Sequence, residues 1–158
     1  MYKFIRVLLL GAFAFLLASC TISPAPNESL RPIKATIVSP LLRLSDAGFV
    51  HSYKRFSVLQ IYSSGVAIAQ LKTGKNICIN GACYTPSAFN EKFFKNAYYD
   101  GLLDDILNAR QIFNGINLTK NECGFYQDVS KFSIRYLVCN DTVEFKDKTT
   151  KIIIKELR

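Results

Sequence analysis

Phe56-Ser57-Val58-Leu59-Gln60-Ile61-Tyr62-Ser63-Ser64-Gly65-Val66-Ala67-Ile68-Ala69-Gln70-Leu71 is the stretch on which the fold turns. Phe56–Tyr62 and Val66–Leu71 are rich in β-branched and aromatic residues. They flank Ser63-Ser64-Gly65, so the spacing predicts a β-hairpin. The first strand has apolar side chains at both parities (Phe56, Val58, Leu59, Ile61, Tyr62), where a sheet with one wet face alternates. Both faces are therefore expected to be covered, or one of them to line an apolar cavity. The candidate cavity-lining residues are Phe56, Val58, Leu59, Ile61, Val66 and Ile68.

Working outward, Leu41–Leu44 and Phe49–Tyr53 read as strands around an Asp46-Ala47-Gly48 turn. Gly74, in Thr73-Gly74-Lys75, reads as a hairpin tip. In Cys78-Ile79-Asn80-Gly81-Ala82-Cys83, Asn-Gly is the preferred pair for a two-residue type I′ turn, because both central positions need positive φ. The middle of the chain turns helical. Thr85-Pro86 supplies a cap and a first-turn proline for a helix over Ser87–Lys95. Asp100 is a candidate cap for a second helix reaching Arg110, with Leu102, Leu103, Ile106 and Leu107 on one face. Strands return in Gly124–Val129, Phe132–Cys139, Thr142–Lys146 and Thr150–Leu157, a predicted antiparallel meander. The expected fold is α+β: a curved antiparallel sheet, an open half-barrel, with two short helices inserted between N- and C-terminal strand groups.

In the type I′ hairpin Cys78 lies directly opposite Cys83, in the closer, non-hydrogen-bonded kind of pair, so a cross-strand disulfide is geometrically feasible. Cys123 precedes the meander and Cys139 ends its second strand. Four cysteines allow three connectivities, and 78–83 with 123–139 is favoured; a reactive CxxxxC pair at 78–83 is the competing reading.

The fifth cysteine belongs to the start of the chain. Lys3 and Arg6 precede an uncharged apolar run from Val7 to Ala18, too short to cross a bilayer but of signal-peptide length. The run ends in Leu17-Ala18-Ser19-Cys20, which resembles the lipobox of bacterial lipoproteins. That resemblance implies lipid transfer to Cys20 and cleavage before it. No cofactor is expected beyond this covalent lipid. Two or more acyl chains hold a protein stably at a membrane. Thr21, where an Asp tends to retain enteric lipoproteins at the inner membrane, leans towards the outer membrane, facing the periplasm.

Residues 1–19 are thus read as a signal peptide, and 20–40 as the lipidated cysteine and a proline-rich tether. Ile33–Val38 is a candidate to join a sheet, and 41–158 is one α+β domain. The 158-residue chain carries 20 Lys+Arg against 12 Asp+Glu. Losing Lys3 and Arg6 leaves 18 basic residues and a net charge of +6. The lysines are scattered, so the balance points to anionic headgroups rather than nucleic acid.

Catalytic signatures are absent from the sequence: no nucleophile elbow, Walker loop, HExxH or GxGxxG. No catalytic or metal-binding residue is nominated. The single histidine, His51, reads as an ordinary strand residue. Asp100, Asp104 and Asp105 lack the alternation and glycine of a Ca²⁺ loop and read as a solvated helix face.

The order of elements on a lipidated chain resembles the LolA/LolB-type lipoprotein carriers and acceptors. The residues that carry it are Leu102-Leu103-Asp104-Asp105-Ile106-Leu107-Asn108-Ala109-Arg110, Phe132-Ser133-Ile134-Arg135-Tyr136 and the closing Ile152-Ile153-Ile154. The tryptophan-free, lysine- and isoleucine-rich composition also resembles small lipoproteins of Campylobacter and Helicobacter relatives. The carrier resemblance implies an open sheet closed by helices over an acyl-chain cavity. The expected partners are the membrane, through the anchor, and an acyl chain or lipoprotein ligand. The alternative is a structural accessory of an envelope complex, bound to a protein partner and lacking a cavity.

Overall fold

Strand β1 (Ser29–Val38) is the sixth of eleven in a single antiparallel sheet. On one side β1 pairs with β2 (Arg43–Ser52), and the sheet continues through β3 (Ser57–Ser63), β4 (Val66–Lys72), β5 (Ile77–Ile79) and β6 (Ala82–Tyr84). On the other side it pairs with β11 (Lys151–Glu156), followed by β10 (Thr142–Lys146), β9 (Ile134–Cys139), β8 (Gly124–Val129) and β7 (Leu118–Asn121). The computed structural model describes residues 29–158. The sheet is curved and open. Between β6 and β7 the chain forms helices α1 (Pro86–Phe93) and α2 (Leu102–Leu107).

The expected α+β open sheet with two helices between strand groups is what forms, but three boundaries move. Ser29–Val38 is sheet, not tether, so the folded unit begins twelve residues before Leu41. Ile33, Ala35 and Ile37 alternate into the core, fully buried or nearly so. Asp46-Ala47-Gly48 is not a turn; β2 runs straight through it. A Cβ at Gly48 would lie 2.0 Å from the Gln60 carbonyl oxygen, so the glycine serves close approach of β2 and β3. The second helix begins after Gly101, without a side-chain cap, and stops at Leu107 rather than Arg110.

One face of the sheet packs on the helices. Leu59, Ile61, Leu71, Tyr136, Phe145 and Ile152 point into that core with Phe89 and Phe93 of α1 and the four leucine and isoleucine residues of α2. The opposite face is wetter. In β3 only Ser57, Leu59 and Ile61 are buried, while Val58, Gln60 and Tyr62 are half-buried on the other side. The expectation of two covered faces is thereby corrected. The second set of apolar side chains in β3 is half shielded by neighbouring strands, Phe49 meeting Tyr62 edge-on at 6.0 Å.

Both helices are pinned to strand ends. Arg31 donates to the Leu107 carbonyl at 2.5 Å, Asn108 Nδ2 to Ser57 Oγ at 2.9 Å, and Thr73 Oγ1 to Asp104 at 2.5 Å. At the other end, Thr149 and Thr150 donate to the carbonyls of Phe94 and Phe93. The Tyr98 hydroxyl donates to buried Asp147 at 3.0 Å. Removing that hydroxyl strands one carboxylate oxygen in the core. A Tyr98→Phe variant is expected to lose about 2 kcal/mol of stability, measured by urea unfolding at neutral pH.

Candidate functional site

The connection from α2 to β7 is backbone of an unusual kind. Ala109, Phe113, Asn114, Gly115 and Asn117 all have positive φ within nine residues. Glycine and asparagine adopt that region readily, but phenylalanine does so at a cost, and such strain persists only where surrounding contacts fix it. Here the fixing group is Gln127 of β8, whose side chain is buried and fully used. Its Oε1 accepts from Ile112 N at 2.8 Å, and its Nε2 donates to the carbonyls of Ile112 and Ile116, both at 2.9 Å. Asn117 adds a bond to the Asp128 carbonyl at 3.0 Å.

Held this way, the connection forms the wall of a pocket of about 660 Å³, between α2 and the β8–β9 turn. The apolar lining is aromatic. Phe113 and Phe132 stack at 5.3 Å, Tyr99 meets Phe113 edge-on at 4.9 Å, and Ile116 and Val129 complete the surface. Tyr98 lies behind, edge-on to Phe132 at 5.3 Å. At the rim are Gln111, Asn114 and Lys131, all exposed. The volume falls in the range of roughly 300–1,000 Å³ typical of small-molecule sites.

The charges around this pocket are arranged, not scattered. Arg110 pairs with Asp104 and, at 2.7 Å, with Asp105. Asp105 also accepts from the Tyr99 hydroxyl at 2.7 Å. Burial, with Asp105 beside it, pushes the Tyr99 phenol well above its ordinary range, so it stays a hydrogen-bond donor. Asp104 and Asp105 are therefore not the solvated helix face expected from the sequence: both are half-buried and ion-paired. Lys131 is the cation left at the mouth, lying 5.2 Å from the Phe132 ring centroid.

Beneath this cluster, Tyr136 is fully buried and its hydroxyl has no hydrogen-bond partner among the described residues. Burial, first, pushes its phenol pKa above the ordinary range; of the nearby charges, Asp105 raises it further and Arg110 lowers it. The hydroxyl thus sits within the field of the same ion pair that borders the pocket. Buried hydroxyls are rarely left without a partner, and Tyr136 is not among the residues that line the pocket.

The residues expected to line a cavity do not come together. Leu59 and Ile61 are core residues on the helix-covered face, whereas Val58 is on the opposite face. Val66 and Ile68 are 64% and 46% exposed on β4. Phe56 lies just before β3 and stacks on Tyr53 at 4.4 Å. A strand alternates faces, so no single cavity can take consecutive residues of β3.

The cysteines pair as expected: Cys78–Cys83 with S–S 2.02 Å and Cys123–Cys139 with 2.05 Å. His51 ends in strand β2, its ring stacked parallel to Tyr53 at 6.5 Å. Cys20, the lipobox-like Leu17-Ala18-Ser19-Cys20 and Thr21 lie outside the described residues. Tyr99, Phe113, Phe132 and Gln127 escape sequence reasoning. Only Asn114-Gly115 marks the bend, and a buried glutamine clamp leaves no periodic trace.

Among the described residues, no group of three His, Cys, Asp or Glu side chains is placed to hold a metal ion. No described helix is long and apolar enough to cross a membrane. Fold and pocket together define an open antiparallel half-barrel with an aromatic-lined site at one flank. No protein-family model matches the chain, and no curated protein matches it at a significant level.

Proposed function

We propose that the chain is a lipid-anchored protein of the bacterial envelope, tethered at Cys20 and facing the periplasm, most simply at the outer membrane. In this reading it binds an acyl chain of a lipid or lipoprotein, without catalysing a reaction. The observation that supports it is the pocket walled by Tyr99, Phe113, Ile116, Val129 and Phe132, with Lys131 at its mouth. An apolar wall accepts a hydrocarbon chain, and a rim cation suits a carboxylate or phosphate head. Anchoring follows from the lipobox Leu17-Ala18-Ser19-Cys20.

The test uses the chain from residue 20 onwards with Cys20→Ser, purified from the periplasm and examined by native mass spectrometry. A bound fatty acid or lipopeptide is expected, as is uptake of a fluorescent fatty-acid probe. Ile116→Asp puts a charge on the pocket wall at a site already half exposed, so the fold should stand. It is expected to weaken probe uptake at least about tenfold. Uptake that is absent, or unchanged in this variant, overturns the pocket assignment. Anchoring is read separately, from the mass of the acylated N-terminal peptide of the native protein.

A second reading has its own support. Phe89, Phe93, Phe94 and Tyr136 fill the helix-covered face, so much of the half-barrel's interior is occupied by the protein's own side chains. On that reading the protein is a structural accessory of an envelope complex. It predicts a crosslinked protein partner and no probe uptake.

A further inference from the structure

At the end of the sheet where the chain enters, the two halves of the rim differ in charge. Ser29, the first residue of β1, pairs with Ser52, which pairs with Ser57, whose carbonyl accepts from Thr73 N. That row of three strand spacings, each about 4.8 Å, puts the β4–β5 loop ~15 Å from Ser29. Along this half of the rim, residues 29–31, 52–57, 72–77 and 84–85 contain Arg31, Lys54, Arg55, Lys72 and Lys75, and no carboxylate. The acidic residues of the same end, Glu122, Asp141 and Glu156, belong to the β7–β11 half, where Asp141 pairs with Arg158 at 2.6 Å.

Three of these cations converge. Arg55, Lys72 and Lys75 line a groove of about 370 Å³ with Phe56, Thr73, Gly74 and Asn76. Lys72 Nζ lies 4.6 Å from the Phe56 ring centroid, and none of the three cations is in an ion pair with a described carboxylate. The one nearby acid, Asp104, is already held by Thr73 and Arg110. At Gly74, with φ +135, an added Cβ would lie 3.3 Å from Phe56 Cβ, so the loop passes close beside Phe56. Leu30 and Leu157 stand exposed at the same end, Leu157 N donating to the Pro32 carbonyl.

We infer that the rim formed by Arg55, Phe56, Lys72 and Lys75 is a docking surface for an anionic phospholipid bilayer, that of the membrane carrying the anchor. The inference rests on the anchored reading of Cys20. Eight residues separate Cys20 from Ser29, a span of at most ~30 Å when fully extended. A surface ~15 Å from Ser29 is therefore within reach of the headgroups. Unpaired cations beside exposed apolar and aromatic side chains are the pattern that binds an anionic interface, where charge attracts and the apolar groups enter the headgroup boundary. The rim shares no residue with the aromatic pocket.

The test is co-flotation of the Cys20→Ser chain with phosphatidylcholine vesicles, with and without about 30% phosphatidylglycerol. Binding is expected only to the anionic vesicles and should fall with added salt. The variant Arg55→Gln/Lys72→Gln/Lys75→Gln should lose at least about tenfold in affinity. Lys146→Gln/Lys148→Gln/Lys151→Gln, which removes equal charge from exposed positions at the other end of the sheet, should bind like the parent. Arg55→Gln/Lys75→Gln leaves Lys72 on Phe56 and keeps the question open to a test should the triple variant not fold. No binding to anionic vesicles, or equal losses from the two triplets, overturns the inference. Because the chain carries no lipid, a missing anchor in the native protein leaves this result unaffected, while the N-terminal peptide mass reports the anchor alone.

Discussion

A chain beginning at Leu41 is expected not to fold. Residues 29–40 supply the central strand, which pairs with β2 through ten residues and with β11 through six. Without it the sheet becomes two halves, each with a new unpaired edge facing the other's and half of a core. Ile33 and Ile37 are buried almost completely, worth roughly 1.5–3 kcal/mol each, before any loss of ladder hydrogen bonds is counted. With the ladder bonds on both sides of β1 added, such losses are comparable to the roughly 5–15 kcal/mol that holds a typical domain together. Thermal unfolding of the 41–158 fragment should show no cooperative transition and no near-ultraviolet circular dichroism. The Cys20→Ser chain should show both. A sigmoidal melt from the shorter fragment would mean that β1 is an accessory strand and that the two halves meet without it.

Why β1 escapes a sequence reading is instructive. Its proline and its polar flanks are the marks of a linker, and proline at the centre of a sheet normally argues against a strand. Pro32 is tolerated because of where it stands. Its carbonyl accepts from Leu157 N, just past Glu156, the last residue of β11. The reciprocal bond, the one proline cannot make, therefore falls where the strand has already ended. The hairpins and the meander were legible because turn chemistry and alternation are local. Asn80-Gly81 sets Cys78 opposite Cys83, and Ile134, Tyr136 and Val138 alternate inward as their spacing requires.

The pocket was not legible, because what makes it is long-range. Phe113 carries the wall only when Gln127, eleven or more residues away from the carbonyls it holds, fixes an irregular backbone. Asp104 and Asp105 read as solvated because nothing in a helical period shows that Arg110 folds back on them. The six apolar residues at and beside β3 point to a cavity through their apolarity at both parities. Strand parity then divided them between the two faces.

The disulfides carry the second large expected effect, through the place each occupies in the sheet. The sheet is open, and its outermost strands, β6 with three residues and β7 with four, each have one neighbour. Short edge strands fray, because half of their backbone groups have no ladder partner. Cys78–Cys83 ties β6 to β5 across the hairpin, and Cys123–Cys139 ties the β7–β8 turn to the end of β9. Each open edge of the sheet thus has a staple at or beside it. In the chain-entropy model, closing the 16-residue separation of the second bond contributes about 3 kcal/mol and the 5-residue separation of the first about 2 kcal/mol. Cys123→Ser/Cys139→Ser should therefore lower the urea unfolding free energy more than Cys78→Ser/Cys83→Ser does. Reduction of both should leave a domain near the threshold of stability. Hydrogen exchange sharpens the test. Loss of the first bond should release amides of β5 and β6 alone, and loss of the second those of β7 and β8. An unfolding midpoint unchanged by reductant, or free thiols on all four of these cysteines in protein purified without reductant, would show that the edges hold by hydrogen bonding and packing without covalent help.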